Sequence, residues 1–281
     1  MFTLKNDRLY LEISELGAEL RKLTVDGKDA LWDANPEVWD GVAPLLFPIC
    51  GGLRDDKYTF EGKEYSLDKH GFARKSVFSL EKQGHNYITL LLTDTPDTLK
   101  QYPWHFELRI TYRLRETAVK VEYEVKNTDS KTMYFSIGAH EAYACPDGIE
   151  NYDIIFPNNE TLDACELDGN LIAHSSKRIL TDSKYLPLYK SFFAIDALVF
   201  KNLRSRAATL RNRCTGKAVT VEFPNFDYFL LWTKPNGNYI CLEPWCGIPS
   251  MCDDGYDITE KEGIISLEAG KTTLREHSIY F

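Results

Sequence analysis

The chain has 281 residues, of which 43% are apolar, 13% aromatic and 27% charged. This composition is typical of a globular protein with a large core and excludes wholesale disorder. The formal net charge of −9, with no run of Lys or Arg, argues against a nucleic-acid-binding surface, which needs a basic patch. The longest nearly apolar stretch, residues 43–50, is far shorter than the roughly 20 residues that cross a bilayer, so we expect no membrane segment.

The chain start and the cysteines indicate the compartment. The first residues alternate polar and apolar side chains and contain no apolar h-region of a secretory signal, so we expect a cytoplasmic protein. The seven cysteines are scattered and include no CxxC pair. We therefore expect free thiols, mostly buried, and neither a disulfide framework nor a structural zinc.

The predicted elements are mainly strands. Two short helices are predicted at 36–42 and 95–102, each with a Pro near its start. A hairpin is predicted over 58–67, with Glu61-Gly62 at its turn. Strict apolar-polar alternation then predicts half-buried antiparallel strands over 106–114, 119–126 and 219–223. With no linker or internal repeat, the pattern predicts an all-β fold, one large antiparallel β-sandwich domain over 1–281.

Two Pro/Gly-framed loops carry the first candidate site residues. One loop, 44–54, ends in Arg54, and the other presents His70 and Arg74 in the segment His-Gly-Phe-Ala-Arg. Guanidinium groups suit the oxygens of a sugar or a phosphate, and an imidazole donates to a hydroxyl or a ring oxygen. Each could also be an ordinary surface arginine or loop histidine.

Polar groups inside apolar strands mark the other candidates. His140 follows a strand-like run and a Gly138-Ala step, and the glycine permits close approach of backbone or ligand. Glu243 lies in an apolar strand just before Pro and Trp245, where a carboxylate needs partners or a shifted pKa. Asp196, in another apolar run, either serves the site or caps its own backbone. The other histidines, His277 included, are interpreted as polar or strand-exposed.

These segments together resemble the aldose 1-epimerase (galactose mutarotase-like) family, most closely its LacX-like branch. The resemblance spans nearly the whole chain and rests on the order of Trp39, Phe47-Pro48, the His70–Arg74 segment, Gly-Ala-His140, Asp196-Ala-Leu and Glu243-Pro-Trp. It implies a large antiparallel β-supersandwich with its site in a cleft on one sheet, needing neither metal nor nucleotide. By position it makes Glu243 the catalytic base and His140 the catalytic acid.

The same resemblance makes His70, Arg54 and Asp196 substrate-binding positions, and Arg74 and Trp245 are predicted to join them, the tryptophan as a platform for a sugar ring. Mutarotation needs O1–H deprotonated while O5 is protonated, and we expect the base and the acid on opposite sides of the reacting carbon. An ionised carboxylate and a protonated imidazole would support each other electrostatically, which predicts a bell-shaped pH profile.

Several alternatives stay open from the residues alone. One is a sugar-binding or sensor protein of the same fold without turnover. Another is a hexose-6-phosphate 1-epimerase, although a free aldose is favoured because Arg54 and Arg74 are not joined by a wider basic cluster. A cupin-like metal site that uses His70 and His140 is a third alternative. The fourth is a glycoside hydrolase that pairs Glu243 with Asp196.

Overall fold

The computed structural model describes residues 1–281, and strands make up most of its regular structure. The strands are β1 Phe2–Lys5, β2 Leu9–Ile13, β3 Leu20–Val25, β4 Lys28–Asp29, β5 Lys57–Phe60, β6 Lys63–Ser66, β7 Ser79–Gln83, β8 Tyr87–Thr93, β9 Phe106–Arg115, β10 Ala118–Asn127, β11 Met133–Phe135, β12 Ile137–Gly138, β13 Glu141–Ala144, β14 Tyr152–Asp168, β15 Leu171–Pro187, β16 Leu198–Phe200, β17 Ala207–Asn212, β18 Ala218–Glu222, β19 Tyr228–Trp232, β20 Tyr239–Cys246, β21 Ile265–Leu267 and β22 Thr272–Tyr280.

Helices are short. The one α-helix is α1, Pro96–Gln101, and the 3₁₀ turns are Arg54–Asp56, Ala73–Lys75, Ile149–Asn151, Lys190–Phe193 and Ile258–Glu260. Thr95 caps α1 by accepting the Thr98 N–H, and Pro96 occupies the first helical position, where its missing N–H costs nothing. No helix is both long and apolar enough to cross a membrane.

One sheet of 14 strands dominates the fold. Its order is β12-β20-β19-β16-β14-β17-β18-β22-β10-β9-β8-β7, with β13 paired to β20 and β15 to β14. Every pairing between these strands is antiparallel. The N-terminal strands form a separate four-stranded sheet, and two small two-stranded sheets complete the fold. The prediction of an all-β fold with large antiparallel sheets and few helices is confirmed.

The alternating segments form the strands that their pattern predicts. Val119, Val121, Tyr123 and Val125 are all buried on one face of β10, and the 58–67 hairpin forms as β5 and β6. The predicted helix at 36–42 is wrong. Only a turn forms there, and the Trp39 carbonyl accepts the Trp32 indole N–H at 2.8 Å, so the chain leaves the helical path after one turn.

The core determines where a site can lie. A continuous cluster of 67 buried apolar residues fills the space between the sheets. Two smaller clusters, one around Trp245 and Leu230 and one around Tyr239 and Cys241, lie apart from it at the β20 end of the large sheet. This separation leaves one end of the sheet covered by loops, and a cleft opens there.

Candidate active site

A cleft of about 630 Å³ lies over the end of the large sheet. Three adjacent strands form its floor, since Val199 on β16 pairs with Leu230 on β19, which pairs with Glu243 on β20. Alternate residues of a strand face the same way, so Trp245 shares this face with Glu243. The floor therefore presents one carboxylate among apolar side chains, as its place in an apolar strand predicts.

His140 meets Glu243 on this floor. Its Nε2 atom lies 3.4 Å from Glu243 Oε2, and the side chains are only 10% and 1% exposed. The remaining atoms, His140 Nδ1 and Glu243 Oε1, are buried without a hydrogen-bond partner. Buried polar atoms without partners are uncommon and require an explanation such as catalysis or ligand binding.

Gly138 brings the two residues together. Its N–H and C=O bond to Leu46, and the next residue, Ala139, donates its N–H to the Pro244 carbonyl at 3.1 Å. A Cβ on Gly138 would lie 2.6 Å from Trp245 Cδ1, so only glycine allows this approach. The close approach predicted for Gly138 is confirmed, and it fixes His140 beside β20.

Burial controls the charge of the pair. It raises the pKa of Glu243 well above its ordinary value, and the charge of Asp196 adds to the rise. It lowers the pKa of His140 to about 3, with smaller contributions from Lys69 and Arg74. The structure thus favours a neutral acid beside a neutral imidazole, and the predicted mutual support of two ions is outweighed by desolvation. The neutral pair and the ion pair contain the same exchangeable proton. Transfer of this proton between Glu243 Oε2 and His140 Nε2 converts one form into the other.

His70 also lies in the cleft. Its ring Nδ1 accepts the Gly51 N–H at 3.0 Å, and the backbone N–H of His70 donates to the Gly51 carbonyl at 2.9 Å. Burial lowers the pKa of His70 well below its ordinary value, so the ring is neutral and its hydrogen lies on Nε2. The ring stands edge-on to both His140 and Trp245. His70 is therefore a fixed donor next to the pair.

The aromatic surface of the cleft comes mainly from Trp39 and Trp232, whereas the sequence predicted Trp245 as the platform for a sugar ring. Trp245 lines the cleft but is only 3% exposed, and its indole N–H donates to the Ala139 carbonyl. Trp39 and Trp232 are more open and contact the His140 ring at centroid distances of 5.4 and 5.5 Å. Trp39 contributes to the family resemblance, whereas Trp232 was missed. The alternation of Trp232 with Leu230 along β19 is the signal that could have found it.

Asp196 and Arg74 line the cleft, together with Lys69, which the sequence reasoning missed. Asp196 Oδ1 accepts the Ala197 N–H at 2.9 Å, as the capping alternative predicts, while Oδ2 lies 3.8 Å from Lys69 Nζ. Arg74 donates to the Lys69 carbonyl, and its Nε is buried without a partner. Asp196 therefore combines a backbone cap with a place in the cleft.

Arg54 does not line the cleft. Its guanidinium donates to the Asp254 carbonyl at 2.9 Å and lies over the Tyr256 ring at 4.9 Å. These contacts hold the side chain against the 254–256 loop and away from the other candidates. The structure thus groups six of the seven predicted site residues in one cleft and leaves Arg54 outside.

Two cleft residues and a buried cysteine beneath them have the arrangement of metal ligands. Potential ligand atoms of His140, Cys241 and Glu243 all lie within 4.8 Å of one another, and His70 does not belong to this set. Burial raises the pKa of the Cys241 thiol well above its ordinary value. A metal would have to displace the proton of this thiol, and burial opposes formation of the thiolate. The cleft is better suited to proton transfer.

Comparisons with known proteins agree with this fold. The model of the aldose 1-epimerase family matches residues 1–279. The plasmid-encoded protein LacX of Lactococcus lactis subsp. lactis is 34% identical over 98% of this chain and 97% of its own length. A solved galactose mutarotase-related enzyme from Lactobacillus acidophilus has a TM-score of 0.95 at 31% identity, covering 99% and 96% of the two chains. A galactose mutarotase-like protein from Lactobacillus casei ATCC 334 has a TM-score of 0.94 at 27% identity, covering 100% and 99%.

Both the predicted family and the predicted β-supersandwich are confirmed by these matches. The matches run from end to end of the chain, and the relatives are covered almost completely. The chain belongs to the aldose 1-epimerase family, and within it the chain is similar to LacX.

Proposed function

We propose that the protein is an aldose 1-epimerase that interconverts the α and β anomers of a reducing sugar. The observation that carries the proposal is the His140–Glu243 pair, buried at 3.4 Å on the floor of a cleft with one free polar atom on each residue. O1 and O5 of a pyranose are bonded to the same carbon. An acid and a base that act on both oxygens must therefore reach the same carbon, and the short distance between His140 and Glu243 is compatible with this requirement.

The chemistry follows from one shared proton. In its ionic form the pair offers a Glu243 carboxylate and a His140 imidazolium. Glu243 takes the proton of O1–H while His140 gives its proton to O5, and the C1–O5 bond breaks to leave the open-chain aldehyde. Rotation about C1–C2 and the reverse transfers close the other anomer and restore both residues. Each transfer to or from a positioned group contributes about 10²- to 10⁴-fold.

The other cleft residues support binding of a polyhydroxyl ring. His70 offers its Nε2–H as a fixed donor, and Asp196 and Lys69 offer an acceptor and a donor 3.8 Å apart. Trp39 and Trp232 provide flat apolar surface beside His140. A sugar has apolar faces and polar edges, so aromatic rings together with convergent polar groups suit it. Arg54 has no role in this arrangement.

A sugar phosphate is the second candidate substrate. The sequence favoured a free aldose because Arg54 and Arg74 are not joined by a wider basic cluster. The cleft does contain such a cluster, since its lining includes five basic residues, Arg21, Lys69, Arg74, Lys75 and Lys234. Arg21, Lys69 and Lys75 face carboxylates within 4 Å, whereas Arg74 and Lys234 form no salt bridge. Two cations without carboxylate partners favour an anionic substituent on the sugar.

Polarimetry tests the proposal. Pure α-D-galactose, α-D-glucose and α-D-glucose 6-phosphate are each followed to equilibrium with wild-type protein, and the spontaneous rate in the same buffer is subtracted. We expect acceleration to the unchanged equilibrium rotation. If the sugar phosphate is preferred, Lys234→Met raises its KM more than that of the free sugar.

Folded wild-type protein that accelerates none of these reactions would contradict the proposal. Calorimetric titration with the same sugars then decides whether the cleft binds sugar without turnover, as a carbohydrate-binding or sensor protein would.

A further inference from the structure

A second group of potential metal ligands lies outside the cleft lining, on two segments whose neighbouring residues, Asn170 and Pro249, form the rim of the cleft. Ligand atoms of His174, Cys252 and Asp253 all lie within 4.8 Å of one another, and His174 Nε2 is 3.0 Å from Asp253 Oδ2. Both of these side chains are 66% exposed, so an ion can reach them from solvent. No step of the epimerase chemistry uses any of the three.

Backbone bonds hold the two segments that carry these side chains. Ile172 on β15 donates its N–H to the Ser250 carbonyl and accepts the Cys252 N–H, both at 2.9 Å. Asp254 Oδ2 accepts the Met251 N–H at 2.8 Å and shapes the turn that presents Cys252 and Asp253. The ligands therefore come from two segments already fixed side by side, and little ordering is needed when an ion binds.

The donor types select the class of ion. An imidazole nitrogen, a thiolate sulfur and a carboxylate oxygen suit zinc and similar borderline-soft divalent ions, whereas magnesium and calcium prefer all-oxygen sites. Three protein ligands leave the fourth tetrahedral position to water. Binding replaces the S–H proton of Cys252 with the metal, so one proton is released and affinity falls as the pH is lowered.

We propose that His174, Cys252 and Asp253 bind a zinc-class divalent cation at the rim of the cleft. The site joins the β14–β15 hairpin to the 249–254 loop. Gly169 and Asn170, at the tip of that hairpin, and Pro249, in that loop, line the cleft. A bound ion therefore links the two segments that form this edge of the cleft.

Cobalt provides the test, because a cobalt–thiolate bond gives a charge-transfer absorption that other ligands do not. Metal-free wild-type protein is titrated with Co²⁺, and bound Co²⁺ is then displaced with Zn²⁺. We expect one Co²⁺ per chain with the thiolate band, and loss of the band in Cys252→Ser. His174→Ala and Asp253→Asn weaken binding by at least about 10-fold, the smallest loss typical when even an outer-shell partner is removed.

The matched control is Cys214→Ser, which removes an exposed cysteine elsewhere and leaves the band unchanged. Absence of a thiolate band in wild-type protein overturns the proposal. So does a band that survives Cys252→Ser, because a different thiol would then ligate the metal. The readout is absorption and not activity, so its outcome is independent of the epimerase proposal.

Discussion

Two carboxylate–imidazole pairs lie in different surroundings on the two sides of the chain at His140 and Glu141. On the cleft face, His140 lies 3.4 Å from Glu243, and on the core face, His277 lies 3.2 Å from Glu141. Glu141 directly follows His140, so the alternation of one strand sends one residue of each pair to each face. A buried carboxylate–imidazole pair is therefore not sufficient to identify a site.

Access distinguishes the pairs. His140 and Glu243 line the cleft, whereas His277 is 0% exposed and stacks on the Tyr123 ring, with its Nδ1 3.3 Å from the Tyr123 hydroxyl. The interpretation of His277 as polar or strand-exposed is wrong, because β22 places it on the same face as the buried Ile279. The core pair can stabilise the end of the sheet but cannot touch a substrate.

The largest expected effect comes from the cleft pair. Glu243→Gln keeps the side-chain shape, His140→Asn keeps a polar side chain, and each removes the proton transfer, so we expect kcat to fall by about 10²- to 10⁴-fold. Glu243→Gln also removes a buried carboxyl whose desolvation is unfavourable, so the free energy of unfolding stays the same or rises. Polarimetry and urea unfolding on the same preparations measure both.

A fall in activity accompanied by an equal loss of folded protein would contradict this assignment. Thr209→Val is a suitable control, because it removes a hydroxyl bonded to Thr220 in the same sheet at a position far from the cleft lining. Its kcat should match that of the wild type.

The core pair should show the opposite result. Glu141→Met leaves His277 buried without its carboxylate, and His277→Phe leaves Glu141 without its imidazole. Each single change should lower the free energy of unfolding by about 1–3 kcal/mol, the usual cost of an unpaired buried polar group. The double variant should be more stable than either single one, since a buried pair replaced by apolar groups is often neutral.

Urea unfolding of the four proteins gives the coupling energy. The kcat per folded molecule should change much less than in Glu243→Gln. A loss of kcat as large as that of Glu243→Gln, in a variant that is still folded, would mean that the core pair takes part in the reaction.

The sequence was informative where a polar residue interrupts an apolar strand. Glu243 and His140 were found in this way, and Gly138 was found from its place at a strand end. The pairing of Glu141 with His277 was not found, because it joins positions 136 residues apart on strands that are not neighbours in the sheet. Arg54 was misplaced for the same reason, since its contact with Asp254 spans 200 residues.

The charge of the cleft pair could not be predicted from residue types. An acid and a base beside each other suggest an ion pair. Whether the pair is charged depends on the balance between their electrostatic attraction and the loss of hydration on burial. In this cleft burial exceeds the attraction and lowers the pKa of His140 to about 3. The apolar residues around Glu243 in the sequence indicated that its side chain is buried, but they did not show how completely.

The pH dependence of kcat/KM follows from that balance and is the smallest expected effect. The pair is active while it holds one proton. It gains a second proton only at low pH, because the pKa of His140 is lowered to about 3, and it loses its last proton only well above the ordinary range of a carboxylic acid, because the pKa of Glu243 is raised. We therefore expect a bell with a broad flat top, measured by polarimetry from about pH 2.5 to 10 after subtraction of the buffer rate, so that the acid limb lies within the range.

Asp196→Asn sharpens this test, since the charge of Asp196 helps to raise the pKa of Glu243. Without that charge the pKa of Glu243 falls, the last proton leaves at lower pH, and the alkaline limb moves to lower pH while the acid limb stays in place. The core pair has no such connection with the reaction, so the double variant Glu141→Met/His277→Phe should displace the profile less than Asp196→Asn. A rate that rises steadily from pH 4 to 9 in wild-type protein would exclude a shared proton, because a single base would then account for the catalysis.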